Sequence, residues 1–238
     1  MSATIRFRPV IGLCVVVFLV AIPGSMAADV RAWFDLQSGK AVGETLTARV
    51  AMGARWEDDA SFLASHFATF GLQSRRSSWF TLAGYYRWQE DHAQLEDVDL
   101  REDRFYLDAT FKHQFDGWWL SGRNRVEYRV REGRDDSFRY RLKFTETKSS
   151  GLTRWVVSPY AAQEFFFDEG EELFAGQSRM RAFFGLKSDP VERFEFMGAR
   201  FKNVASISSD WYVMYESEER VTGWEDVVVV GMKLGVYF

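Results

Sequence analysis

The sequence is short of the residues that small secreted domains use as staples. It has one cysteine, Cys14, with four prolines and three histidines in 238 residues. A single thiol excludes an internal disulfide framework and a thiolate zinc site, each of which needs at least two. The formal charge of −4 is too small for a polyelectrolyte or a nucleic-acid partner. No motif that cradles a phosphate or nucleotide is present, and the sequence calls for no cofactor. The content is 47% hydrophobic and 17% aromatic, which excludes a disordered chain.

The lone cysteine lies in the apolar run 10–22, preceded by Arg6 and Arg8 and followed by Pro23, Gly24, Ser25, Met26 and Ala27. A basic start, a short apolar stretch and small residues around one larger one make a secretory signal over 1–27, cleaved after Ala27. The run is shorter than the ~20 residues that span a bilayer as a helix. A single domain over 28–238 then remains. It has no cysteine, no helix-length apolar run and a formal charge of −6, because 1–27 carries two basic residues and no acidic one.

That domain alternates with period two, the signature of strands. Leu46, Ala48, Val50, Met52, Ala54 and Trp56 share one face, opposite Thr47, Arg49, Ala51, Gly53 and Arg55. The pattern recurs at Phe80–Trp88 and Phe105–Phe111. It is clearest from Trp118 to Arg131, where Val126, Tyr128 and Val130 oppose Arg123, Arg125, Glu127, Arg129 and Arg131. Phe138, Tyr140, Leu142 and Phe144 then oppose Arg139, Arg141 and Lys143, and Met180, Ala182, Phe184 and Leu186 oppose Arg179 and Arg181. Near Phe165 and Phe167, Glu164 is out of phase with the apolar positions. The last strand carries Val228, Val230, Met232, Leu234, Val236 and Phe238 on one face.

Short turn signals, among them Asp116-Gly117, leave no room for helical crossovers, so the sheet is expected to be antiparallel throughout. A soluble barrel turns its apolar face inward; a membrane barrel turns it to lipid and fills its interior with polar groups. Rows of arginine make a poor exposed sheet surface but a good wall for a wet lumen. Tryptophans placed mostly at strand ends fit interfacial girdles. The expectation is therefore a monomeric all-β, transmembrane, antiparallel up-and-down barrel of twelve strands, with ten as the alternative. Twelve strands of about ten residues fit the length, but they put the short connections at the end opposite the termini.

The segments 118–129, 138–142, 160–167 and 179–185 resemble, in order and spacing, a family of Gram-negative outer-membrane barrels catalogued as a domain of unknown function, family 2490. The likeness runs over most of the chain from Trp33, with a departure over 202–226. It implies an outer-membrane location reached through the periplasm, and no activity.

On the inferred inner face, Arg104, Arg123, Arg125, Arg129, Arg131, Arg139, Arg141 and Lys143 meet Glu102, Asp108 and Glu127, with Glu164, Arg179 and Arg181 on later strands. Twenty-two of the 34 acids lie in 57–59, 90–103, 132–136, 168–172 and 216–226. The leading expectation is a narrow passive channel biased toward small anionic solutes. The alternative is a structural or interaction barrel closed by its own ion pairs. A lipid-modifying enzyme is the third reading and the weakest: of His66, His92 and His113, His92 sits in an acidic loop and no serine lies two or four positions from His113 on its face. Lipid, lipopolysaccharide and the assembly machinery that reads a terminal strand ending at Phe238 are the expected partners.

Overall fold

The computed structural model describes residues 30–92, 99–149, 157–169, 176–188, 191–192, 195–196, 199–200, 206–220 and 223–238. The leader over 1–27 lies outside these residues. Nine long strands follow one another: β1 (Val30–Ala41), β2 (Leu46–Glu57), β3 (Phe62–Arg75), β4 (Phe80–His92), β5 (Asp99–Phe115), β6 (Trp118–Arg131), β7 (Ser137–Lys148), β8 (Val157–Asp168) and β9 (Gly176–Ser188). Three two-residue strands come next, β10 (Val191–Glu192), β11 (Glu195–Phe196) and β12 (Ala199–Arg200), then the long β13 (Ser206–Arg220) and β14 (Gly223–Tyr237).

Each long strand pairs with its neighbour, β9 pairs directly with β13, and β14 pairs with β1, so the sheet closes into an eleven-stranded barrel. The expected twelfth strand, starting at Val191, does not enter the wall. Among its described residues only Val191–Glu192 pairs with the wall, at Ser206–Ile207, while Glu195–Phe196 folds against Ala199–Arg200. In the sequence its alternation is broken by Met197-Gly198. The ten-stranded alternative, which starts near Thr45 and makes 202–225 one long loop, fails too, because β1 joins the wall and β13 runs from Ser206 to Arg220.

An odd count has a topological consequence. β1 and β14 must run in the same direction, and they do, from Val30 opposite Val228 to Gly39 opposite Tyr237. This pair corrects the expectation of an antiparallel sheet throughout. It also removes the misplaced short connections. Those at 42–45, 76–79 and 116–117 now share an end with Phe238. Asp116 and Gly117 both have positive φ, 45° and 72°, as a two-residue hairpin of matching twist requires.

The strands are steeply tilted. Register followed from Ala41 through Thr47, Gln73, Ala83, Asp108, Arg125, Arg141, Phe166, Arg179 and Glu218 arrives at Glu225, which precedes the residue paired with Val30. One circuit therefore climbs more than the length of β1, the stagger that closure demands.

The period-two faces fall as the alternation predicts. Phe70, Leu72, Leu107, Val126, Phe144 and Phe184 point outward and are exposed, whereas Arg104, Arg125, Glu127, Arg139, Arg141 and Glu164 point inward and are buried. Several inward tyrosines lie flat on glycines of the next strand. Tyr85 faces Gly71 and Tyr212 faces Gly231, where an added Cβ would stand 2.1 Å from the ring in each case. The interior is not wholly polar. Tyr160, Ala162, Phe183, Tyr212, Met214, Val227 and Val229 form an apolar cluster on β8, β9, β13 and β14, against which Trp33 packs.

Candidate functional site

The barrel encloses a cavity of about 740 Å³ to which all eleven long strands contribute. Its lining residues include fifteen lysines and arginines against eight carboxylates. Of the residues expected inside from sequence, Arg104, Arg123, Arg125, Arg129, Arg139, Arg141, Lys143, Glu164, Arg179 and Arg181 line it. Glu127 sits behind them with no exposed surface. Arg131 does not join the lining; it lies at the end of β6 and donates to the Asp135 carbonyl oxygen at 3.0 Å from Nε.

Register explains the pairing. On the tilted rows, Asp108 lies opposite Arg125, Arg125 opposite Arg141, Glu127 opposite Arg139, and Glu164 between Lys143 and Arg181. Arg125 clamps Asp108 with Nε at 2.5 Å and Nη2 at 2.7 Å, a bidentate geometry that guanidinium favours. Glu127 accepts from Arg141 at 2.8 Å and lies 3.4 Å from Arg125. Glu164 accepts from Arg123 at 2.5 Å and from Arg141 at 2.8 Å, with Lys143 at 3.9 Å. Glu102 joins Arg104 at 2.5 Å and Arg129 at 2.6 Å. Asp168 pairs with Arg139, and Glu216 and Glu218 with Arg181 and Arg179. Like charges that sit side by side in the register, such as Arg125 and Arg141, are held apart by shared carboxylates.

A second pattern crosses the lumen. Arg87 lies 3.8 Å over the Phe67 ring, and Arg55 lies 4.8 Å from Phe67 and 4.5 Å from Trp33. Arg181 lies 4.8 Å from Trp33 and 4.6 Å from Phe166, and Arg141 4.5 Å from Phe166. Guanidinium and ring thus alternate from β4 to β7, each desolvated contact adding roughly 1–2 kcal/mol. Arg55 is neutralised by Asp35 at 2.6 Å. Arg87 is not: its Nε donates to Thr69 Oγ1 at 3.0 Å, and no carboxylate among the described residues lies within ion-pair distance of it.

The sequence signal for this spine was weak. Trp33 looked like part of an interfacial girdle and instead faces inward. Phe166 stands in the run Phe165-Phe166-Phe167, where alternation cannot say which ring turns in. The out-of-phase Glu164 was the usable clue, since it sets the inward phase that Phe166 shares.

The match to known families follows this geometry. The model of a family described as "Protein of unknown function (DUF2490)" matches residues 30–212. The chain belongs to the DUF2490 family. The match starts at β1 and ends within β13, so it takes in nine whole wall strands and the first half of a tenth; this is the family that the sequence resembles. No curated protein and no solved structure matches the chain.

The charges of the barrel are sorted along its axis. The strand ends and turns bearing Glu57 to Asp59, Glu90, Asp91, Asp99 to Asp103, Glu132 to Asp136, Asp168, Glu216 to Glu219 and Glu225 gather at the end where β1 begins. Lys40, Arg75, Arg76, Lys112 and Lys148 stand near the other, with fewer acids. A cationic lumen therefore runs between an acidic mouth and a basic one.

Proposed function

We propose that this member of the family is an outer-membrane barrel, exported through the periplasm by a cleaved leader, whose lumen is a narrow path for small anionic solutes. Membrane insertion is supported by the outward apolar face. Leu107 and Phe184 are more than 60% exposed, a state a water-soluble barrel would not sustain all round its girth. On β6 the outward positions from Trp118 to Tyr128 span, at about 3.3 Å per residue and a tilt near 40°, roughly the 25 Å of an outer-membrane apolar band. Phe238, in phase with the outward row of β14, is the side chain expected at a terminal strand read by the assembly machinery. If that end is periplasmic, the turns 42–45, 76–79 and 116–117 are periplasmic as well, and the acidic end meets lipopolysaccharide phosphates through bridging divalent cations.

The anion preference is carried by one observation, the excess of cations over carboxylates around the cavity, with Arg87 uncompensated. A ring of fixed positive charge in a low-dielectric tube lowers the barrier for anions and raises it for cations. Planar-bilayer recording of the refolded protein tests it. Single-channel steps with a reversal potential on the anion side are expected; their absence in any salt would leave a sealed barrel.

That sealed barrel is the second reading, and the buried network favours it. Glu127 and Glu164 have almost no exposed surface, and Phe166 is covered by several arginines. Interiors of small barrels are commonly filled by their own side chains. The two readings differ only in whether the guanidinium–ring spine leaves a continuous water path.

A further inference from the structure

Away from the lumen, two histidines meet on the outer surface at the acidic end. His66 projects outward from β3 and His92 closes β4. Nδ1 of His66 lies 3.2 Å from Nε2 of His92, with the ring planes 21° apart. The other nitrogen of each ring has a carboxylate near it. His92 Nδ1 is 2.6 Å from Asp99 Oδ1, and His66 Nε2 is 3.4 Å from Glu90 Oε2. An ionised carboxylate only accepts, so the 2.6 Å contact with Asp99 places an N–H on His92 Nδ1 and leaves its Nε2 a lone pair, 3.2 Å from His66 Nδ1. That lone pair calls for a positive centre beside it.

The centre is either a proton or a metal ion, and the spacing suits the metal. Two imidazole nitrogens bound at about 2.0–2.1 Å with a tetrahedral angle stand about 3.3 Å apart. A carboxylate behind each ring is the usual support of a metal-bound histidine, since it fixes the tautomer and makes the free nitrogen more basic. Trp88 packs edge-on against His66 at 5.2 Å and holds that ring in place. We propose that His66 and His92 form a surface site for a borderline divalent ion of the zinc, nickel or copper class. Among the described residues no group of three or more histidines, cysteines or acids converges on one point. The protein thus supplies two ligands, and the remaining positions belong to water or to an outside donor such as a phosphate oxygen.

Titration of the detergent-purified protein with zinc chloride at neutral pH, followed by calorimetry, tests the site. One ion per chain is expected. His66→Gln or His92→Gln should weaken binding at least tenfold, His113→Gln at the opposite end should leave it unchanged, and Asp99→Asn should cost about 10–100-fold by freeing the His92 ring. Cupric ion should quench part of the tryptophan emission, and Trp88→Phe should remove that part. No saturable binding, or binding that survives both histidine replacements, would overturn the proposal and leave a pair bridged by a proton alone.

Discussion

Glu127 accepts a hydrogen bond from Arg141 at 2.8 Å across the β6–β7 pair, and its side chain has no contact with solvent. Arg104 and Arg125 also lie within 4 Å of the same carboxylate. Removing the acid would leave three buried guanidinium groups sharing less negative charge than they were built around. Glu127→Ala should destabilise the barrel by about 3–5 kcal/mol, the usual cost of deleting one side of a buried pair. Urea unfolding in detergent, followed by loss of the compact band on unheated gels, measures it. A change below 1 kcal/mol would mean that water reaches the network.

Arg87 and Arg125 should behave differently although both line the cavity. Arg125 is clamped by Asp108; Arg87 has a hydroxyl and a ring for company. Arg87→Gln should shift the reversal potential toward zero with little loss of stability. The double replacement Arg125→Met with Asp108→Leu removes no net charge and should leave the potential where it was. Equal shifts from both would mean that the ion path does not distinguish them.

Gly71 is predicted to resist any side chain. An added Cβ would stand 2.1 Å from Tyr85 Cδ1 and 2.5 Å from the Gly84 carbonyl oxygen. The ring can move but the carbonyl cannot, so Gly71→Ala should cost about 1–3 kcal/mol of overpacking, and Tyr85→Ala should not fully rescue it. Gly122→Ala, whose nearest neighbours are 3.8 Å away, is the neutral control in the same unfolding assay.

The β1–β14 closure can be read by cross-linking in a chain that has no cysteine beyond residue 14. Ala32 faces Val230 and Leu36 faces Leu234. Cysteines placed at either pair should form a disulfide on oxidation. Both pairs succeed only if the strands run parallel; success of one pair alone would point to an antiparallel seam and an even strand count.

Which side chains face in and which face out was legible in the sequence, because a strand that is wet on one side and apolar on the other cannot hide its period. Leu107 against Asp108 and Val126 against Arg125 leave no other assignment. The number of strands was not legible. Residues 191–200 are apolar and aromatic enough to look like a wall strand, and only the direct pairing of β9 with β13 excludes them. Closure parity depends on that count, so the parallel seam was hidden with it. Inside the lumen, the arginines and acids announced themselves by phase, but their partners did not. Arg123 reaches Glu164 two strands away, a contact that depends on stagger accumulated around the barrel and not on neighbouring residues. Trp33 was hidden for a different reason: an indole near a strand end suits an interface and an interior equally well.

The acidic end abuts a cationic throat that continues to the basic end, so the barrel is a tube of two adjoining zones of opposite fixed charge. In ion-exchange materials such a junction passes current more readily in one direction, because mobile ions accumulate at the boundary under one polarity and are swept out of it under the other. A conducting barrel of this build should rectify. The sign of the curvature in a current–voltage plot taken at low salt, where screening is weak, would report which mouth faces each chamber without any label attached to the protein.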